Sequence, residues 1–172
     1  RPPPRSTLFP YTTLFRSLAG LEPESREPQV DEGLDEQYLR YLAGTVPDGF
    51  AGMRIVLDCA NGAVHRLAPE LFRRLGAEVI ELACSPNGRN INENCGAVHT
   101  ENLQQVVREA GADAGVAYDG DADRAMFVTG HGRLVDGDEV LWVAARYLHS
   151  NGTLTAPGVE PHVVATQMYN RG

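Results

Sequence analysis

Three aspartates, Asp119, Asp121 and Asp123, stand at alternate positions and are followed directly by Arg124. In extended or turned backbone this spacing can bring alternate side chains to one side, so that three carboxylates reach one ion. Without a cation the cluster would be costly, because two unit charges about 4 Å apart repel by roughly 4 kcal/mol at an effective dielectric near 20. The spacing therefore predicts a metal site.

The ligand chemistry favours Mg²⁺ as the ion at these aspartates. Carboxylate oxygens are hard ligands, and no histidine or cysteine lies close by in the sequence, which argues against zinc or copper. Magnesium with few protein ligands usually also holds water or a substrate phosphate. Gly120 and Ala122 are small enough for a tight turn, and Arg124 adds a planar guanidinium suited to a phosphate. The run thus predicts a site for Mg²⁺ together with a phosphate.

Three other interpretations of the acidic run are weaker. An EF-hand calcium loop requires glycine at its sixth position and glutamate at its twelfth, where this chain has Arg124 and Gly130. A haloacid-dehalogenase-type phosphotransferase usually has threonine or valine two places after the second aspartate, and it would leave Asp123 unused. A solvated acidic turn is the plain alternative. The preceding strand, the spacing and the arginine favour the metal site over it.

The elements around this run alternate between strand and helix patterns. Strands are predicted at Met53–Cys59, Glu78–Ala83, Ala114–Tyr118, Ala125–Thr129 and Arg133–Val135, and helices at Leu34–Ala43, Leu67–Leu75, Thr100–Ala110 and Asp138–His149. This alternation predicts an α/β fold, a three-layer domain with a mixed, largely parallel sheet flanked by helices and truncated at both ends. Ligands of such sheets gather at the carboxyl ends of strands, which is where Asp119 falls.

Several smaller features have structural interpretations. Thr100 is placed to cap the helix that follows it, and capping is also favoured over metal binding for Asp136 and Asp138. Trp142 and Tyr147 are expected to pack in the core.

The polar loops contain candidates of a different kind. His65 and His99 could act as bases, although turn or surface roles are favoured. Asn61 and Gly62 form a turn signal. The segment Asn87 to Asn94 either lines a cleft between domains or satisfies its own backbone, and both possibilities stay open.

Composition excludes several classes of function. The 172 residues include 42% hydrophobic and 22% charged residues, which is typical of a globular protein, and no apolar run could cross a bilayer. A net charge of −8 argues against nucleic acid as a partner. Cys59, Cys84 and Cys95 are odd in number and lack CxxC spacing, which argues against a disulfide framework or zinc site and favours a reducing, cytoplasmic location.

Both ends of the chain differ from the middle. The run TLFPYTTLFRS at Thr7–Ser17 resembles the translation of a sequencing-library adapter, a more specific match than a basic targeting peptide. Residues 1–17 are therefore left out of the fold and expected to be disordered, and the true N-terminal part is expected to be missing. Residues 18–33 are predicted to form an arm. Residues 151–161 resemble a linker, and residues 162–172 begin another domain with a strand.

Four motifs along the chain have counterparts in a known family. GVAYDGDADRAMFV, followed by LVDGDEV, resembles the metal loop, and the segment after it, of the α-D-phosphohexomutase family. IVLDCANGA, PNGRNINENCG and VVATQMYNRG are similar to the bacterial phosphoglucosamine mutase branch of that family. The match runs from about Tyr38 to the end of the chain. The resemblance assigns residues 34–150 to the second domain of the family and residues 162–172 to the start of the third.

The resemblance implies an intramolecular phosphotransferase of the isomerase class. Family members move phosphate from an active-site phosphoserine to glucosamine 6-phosphate and take the other phosphate back from a bisphosphate, which leaves glucosamine 1-phosphate. Carried over, Asp119, Asp121 and Asp123 would hold Mg²⁺, and Arg124 would lie close to the phosphoserine. The partners implied are a hexosamine phosphate and the other domains of the same chain, with no nucleic acid or membrane. Oligomeric state is not predicted.

The chain departs from the family pattern in two respects. Ala122 stands where the family more often has glycine, a mild change unless the position needs a positive φ. The T-A-S-H-N-P-like serine motif is absent, as are the third-domain loop that recognises the sugar and the phosphate loop of the fourth domain. No catalytic residue is therefore assigned, and the chain is expected to be inactive alone. A phosphoglucomutase or phosphomannomutase fragment and a non-catalytic metal-binding α/β module remain alternatives.

Overall fold

Short runs of β-branched and aliphatic residues alternate with amphipathic segments along residues 32–154. These residues, with residues 160, 162 and 163, are the ones described in the computed structural model. The helices are α1 (Glu32–Gly44), α2 (Leu67–Arg74), α3 (Glu101–Ala110) and α4 (Gly137–Ser150), and the strands are β1 (Arg54–Asp58), β2 (Glu78–Leu82), β3 (Ala114–Tyr118), β4 (Ala125–Thr129) and β5 (Leu134–Val135). Every helix and strand predicted within residues 34–150 is confirmed, with ends that differ by at most two residues.

Several predictions fall outside the described residues. They are the adapter-like segment at residues 1–17, the arm as far as residue 31, most of the linker after residue 154, and the strand expected from residue 162, of which only His162 and Val163 are described. Residues 32 and 33, assigned to the arm, instead form the first turn of α1.

The five strands form one mixed sheet in the order β2-β1-β3-β4-β5. β1 pairs in parallel with both β2 and β3. The chain passes from β1 to β2 through α2 and from β2 to β3 through α3, because parallel strands need long crossover connections. β4 runs antiparallel to β3 and to β5, so that four strands point one way and β4 the other. The carboxyl ends of β1, β2 and β3 therefore lie at one edge of the sheet.

Helices cover both faces of the central strands, which gives the three layers. On one face, Ile55 and Leu57 of β1 pack with Val116 of β3 and Ala68 of α2. On the other face, Val56 packs among residues of α3, of the turn that follows it and of β3 and β4, which are Leu103, Val107, Ala112, Ala117 and Val128. Because side chains alternate along a strand, β1 supplies the core on both sides, and Val56 and Leu57 are fully buried.

Of the residues predicted to cap helices, Asp136 does so and Thr100 does not. Thr100 lies at the N-cap of α3 but makes no capping hydrogen bond, because its backbone is already helical (φ −86°, ψ −3°). Its hydroxyl accepts from Gln104 instead, so the predicted cap is wrong. Asp136 caps α4 as predicted, since it accepts from the Glu139 backbone and forms a capping box with that residue.

The prediction that Trp142 and Tyr147 lie in the core is wrong. They are 59% and 64% exposed, and no residue of α4 is buried. The helix lies beside the β4–β5 edge, where Phe127 and Val135 line a cavity of about 420 Å³ with one face of α4. No further layer covers its outer face in the described part of the chain. Of the described helices, none is long and apolar enough to cross a membrane.

Candidate metal centre

Strand β3 brings the acidic loop to the edge of the sheet. Its middle residues are buried, and its last residue, Tyr118, pairs with Ala125 at the start of β4. The loop between them is a tight reversal, in which the Asp119 amide bonds the Arg124 carbonyl (3.2 Å) and the Ala122 amide bonds the Asp119 carbonyl (3.1 Å). The loop is therefore fixed at both ends by the antiparallel pair.

The structure brings all three predicted carboxylates together. One oxygen from each of Asp119, Asp121 and Asp123 lies within 4.8 Å of the others. Asp119 is buried, whereas the other two are exposed. Three hard oxygens that converge at an open edge fit Mg²⁺, which takes oxygen ligands and keeps positions for water or phosphate.

Asp119 also anchors Arg124. The Nε group of Arg124 donates to one Asp119 oxygen (2.8 Å), and its backbone amide donates to the other (3.1 Å). Nε also lies 3.4 Å from Asp123. The arginine side chain is nevertheless 73% exposed, and its terminal amino groups have no hydrogen-bond partner in the described part of the chain. They are free to meet an anion beside the carboxylates.

The charges of the loop act on one another in opposite directions. Burial pushes the pKa of Asp119 upward, but hydrogen bonds from the Arg124 backbone and side chain outweigh it, so that the pKa is lowered. The pKa of Asp123 is raised by its hydrogen bond with Asp119, and then by the charges of Asp121 and Asp119. Hydrogen bonds thus favour the charged form of Asp119. Repulsion from the neighbouring carboxylates disfavours the charged form of Asp123, and a bound cation would relieve that repulsion.

Ala122 adopts a left-handed backbone conformation, with φ +60°. This is the condition under which the departure from the family's glycine matters, because a Cβ is unfavourable there. We expect Ala122→Gly to raise the free energy of unfolding by about 1 kcal/mol, measured by urea denaturation. Ala51→Gly, at an exposed loop alanine outside the left-handed region, is the matched control and should lower it. Equal changes for both variants would contradict the strain at Ala122.

Two other loops press against the acidic loop. Gly62 follows β1, and a Cβ on it would lie 2.3 Å from the Gly120 carbonyl oxygen. The neighbouring Ala63 amide donates to that same oxygen (2.9 Å). From the long loop after β2, the Ala97 amide donates to the Tyr118 carbonyl (2.9 Å). The sequence indicates only a turn at Gly62, because nothing local in it reveals a contact with a residue so distant in the chain.

The asparagine-rich segment largely satisfies its own backbone. Asn87 accepts from the amides of Arg89 and Asn90, and Asn90 donates back to the Ser85 carbonyl (3.0 Å). The same segment also reaches the site, since a Cβ on Gly120 would lie 2.7 Å from Ile91. These asparagine side chains thus hydrogen-bond the backbone of their own segment, and the segment also contacts the acidic loop.

His65 and His99 occupy turn and surface positions, the roles that the sequence favours for them. His65 is half-buried, and its Nδ1 lies 2.9 Å from the Gly62 carbonyl, so that it belongs to the turn after β1. His99 is exposed, and its side chain makes no hydrogen bond in the described residues. Cys59, Cys84 and Cys95 are free thiols.

Comparison with known proteins identifies the class to which this fold and loop belong. The domain-family model described as phosphoglucomutase/phosphomannomutase, alpha/beta/alpha domain II matches residues 36–132, more than half of the chain. The chain therefore belongs to the phosphoglucomutase/phosphomannomutase family.

Particular relatives narrow the similarity further. The chain is 49% identical over 154 residues to a phosphoglucosamine mutase of Solibacter usitatus, a match that covers 90% of the chain and 34% of that protein. It is 48% identical over 138 residues to one of Pseudomonas fluorescens, with 79% and 30% covered. A family protein of Burkholderia thailandensis has a similar structure (TM-score 0.63, 32% identity, 82% of this chain and 31% of that one). The chain spans about a third of the length of these relatives.

Proposed function

We propose that this chain forms the second domain of a phosphoglucosamine mutase and that its acidic loop holds Mg²⁺. The observation that carries the proposal is the convergence of three carboxylates within 4.8 Å at the carboxyl end of β3. Identities of 47–49% to proteins named phosphoglucosamine mutase support the choice of activity. The reaction would interconvert glucosamine 6-phosphate and glucosamine 1-phosphate through a phosphoserine and a bisphosphate.

The residues of this domain would bind and orient rather than exchange a covalent bond. Asp119, Asp121 and Asp123 would hold the ion, which supplies positive charge beside the phosphoryl group in transfer. Asp119 binds the Arg124 backbone amide and Nε, and the rest of the arginine side chain stays largely exposed. A planar donor group held beside a cation is suited to a phosphate that carries several oxygens.

The other components of the reaction belong to the same proposal. The phosphoserine, the loop that recognises the sugar and the loop that binds its phosphate would come from further domains of the full protein. This chain would be inactive by itself, and its partners would be those domains and a hexosamine phosphate. A cytoplasmic location is in keeping with three free thiols.

The test is the substrate preference of the complete protein. With the neighbouring coding sequence recovered, kcat/KM for glucosamine 6-phosphate should exceed that for glucose 6-phosphate and mannose 6-phosphate by at least about tenfold. A preference for glucose or mannose phosphate would make the protein a phosphoglucomutase or phosphomannomutase. A complete protein that turns over none of the three, but binds Mg²⁺, would favour a non-catalytic metal-binding module.

A further inference from the structure

Asp58, the last residue of β1, is a fully buried carboxylate in a position that the mechanism above does not use. One of its oxygens accepts from the Ala60 amide (2.9 Å) and the other from the Gly96 amide (2.9 Å). It forms no ion pair with any described residue. A charged group is costly to bury unless hydrogen bonds compensate, and here two backbone amides do so.

The amides of Ala60 and Gly96 belong to the two loops that contact the acidic loop, namely the turn after β1 and the long loop after β2. Ala60 begins the turn after β1, and three residues later the Ala63 amide donates to the Gly120 carbonyl. Gly96 lies in the long loop after β2, just past its asparagine-rich segment, and the amide of its neighbour Ala97 donates to the Tyr118 carbonyl. Tyr118 and Gly120 flank Asp119 on either side. The Asp58 carboxylate is therefore connected by two short paths to the peptide carbonyls on either side of Asp119. One path runs through the turn after β1 to the Gly120 carbonyl, and the other runs through the loop after β2 to the Tyr118 carbonyl.

A further contact joins the two paths to each other. The Asn92 amide donates to the Ala60 carbonyl (2.9 Å), so that the asparagine-rich loop also bonds the turn after β1 directly. A Cβ on Gly96 would lie 2.6 Å from the Tyr118 carbonyl oxygen and 2.7 Å from the Ala60 Cβ. The three loops meet with no room for a side chain at Gly96, which means that a displaced loop would displace its neighbours.

We propose that Asp58 is a positioning residue for the magnesium loop. By holding the turn after β1 and the asparagine-rich loop together, it fixes the backbone on both sides of Asp119 and so sets where that carboxylate points. The inference rests on the proposed function, because it concerns how the same loop binds its cation. Groups that orient metal ligands without touching the metal typically change its affinity by about 10- to 100-fold when they are replaced.

The informative variant is Asp58→Asn, tested in the 172-residue chain. An asparagine of the same shape offers one oxygen and one NH₂ group, and the NH₂ group would face one of the two backbone amides, so that one loop loses its anchor. We expect the dissociation constant for Mg²⁺, measured by calorimetry, to rise by at least about tenfold at a temperature where the variant is folded. Mn²⁺ binding followed by electron paramagnetic resonance should weaken in parallel.

Asp113→Asn is the matched control. Asp113 also accepts a backbone amide, that of Arg54 (2.8 Å), but at the opposite edge of the sheet, where β1 begins. It undergoes the same change of charge and shape, and it should leave Mg²⁺ affinity within about twofold of the original. A purely structural role for Asp58 predicts lower stability of Asp58→Asn with the cation affinity of the folded protein unchanged, and that result would overturn the inference.

A measurement on the unaltered chain covers the case in which Asp58→Asn fails to fold. Coupling between two sites is reciprocal, so saturating Mg²⁺ should slow amide hydrogen exchange at Ala60 and Gly96 more than at Arg54, which bonds Asp113. Equal slowing at all three amides would overturn the role of Asp58. If the unaltered chain binds no Mg²⁺ at millimolar concentration, the proposed metal site itself fails, and the inference fails with it.

Discussion

Asp121→Asn is expected to raise the dissociation constant for Mg²⁺ by at least about tenfold while the fold stays intact. Asp121 is exposed, and its carboxylate makes no hydrogen bond with any described residue, so its replacement removes a candidate ligand and little else. Asp119 would be a less selective choice, because its loss would also release Arg124. Calorimetric titration of the two proteins with MgCl₂ gives the comparison.

The stability of Asp121→Asn should not fall together with its affinity for Mg²⁺. The pKa of Asp123 is raised first by its hydrogen bond with Asp119 and then by the charge of Asp121, and in the absence of the cation loss of that charge relieves the second effect. Asp121→Asn should therefore unfold at the same or a slightly higher urea concentration than the unaltered chain when EDTA is present. Added Mg²⁺ should stabilise the unaltered chain more than the variant, because only binding to the folded state contributes.

Asp48→Asn is the control for this experiment. Asp48 is an exposed aspartate in the loop before β1, at the end of the sheet away from the acidic loop, so the variant has the same net charge as Asp121→Asn. Its Mg²⁺ affinity should match that of the unaltered chain. Equal weakening in both variants would indicate attraction of the cation by overall charge, and no weakening in Asp121→Asn would contradict the assigned ligand set.

The elements and the acidic loop could be predicted because their signals are local. β3 is a short apolar run that ends at Asp119, and the alternation of the carboxylates lies within five residues. The parallel sheet then follows from the strand–helix order, and it explains why the loop lies at the carboxyl edge. Each of these steps depends on neighbours in the sequence.

The surroundings of the loop could not be predicted because they depend on contacts between distant residues. In the sequence, Asp58 is one residue of the strand predicted at Met53–Cys59, and only the fold shows that its carboxylate accepts a hydrogen bond from the Gly96 amide. The wrong prediction at Trp142 has a related cause. An apolar helical pattern indicates that a helix has a face suited to burial, but it does not indicate which other element covers that face, and in the described residues Trp142 stays exposed. At Thr100, the residue type was right for a cap, but the backbone was already helical.

The second large effect is expected at Gly62. A Cβ there would lie 2.3 Å from the Gly120 carbonyl oxygen and 2.8 Å from the Gly120 carbonyl carbon, closer than real Cβ atoms approach backbone. Because Gly62 does not need a positive φ, this contact alone determines the cost. We expect Gly62→Ala to lower the free energy of unfolding by about 3 kcal/mol in urea denaturation, at the upper end of the usual range for overpacking.

The same variant tests whether the turn after β1 supports the metal loop. To accept the new methyl group, the turn must move away from Gly120, and the bond from the Ala63 amide to the Gly120 carbonyl must lengthen. Mg²⁺ affinity of the folded protein should then fall together with stability. Gly44→Ala is the control, because Gly44 ends α1 with no atom within 4 Å of its added Cβ, and alanine there should be neutral or slightly stabilising.

The two measurements on Gly62→Ala separate two kinds of support. Loss of stability with unchanged Mg²⁺ affinity would mean that the acidic loop is held by its own hairpin, through the bonds between Asp119 and Arg124. Loss of both would mean that the hairpin is insufficient and that the loops after β1 and β2 set the geometry of the carboxylates. We expect the second result, because the Gly120 carbonyl lies between two of the three candidate ligands in the sequence, and its hydrogen bond with the Ala63 amide is the contact that the added methyl group must lengthen.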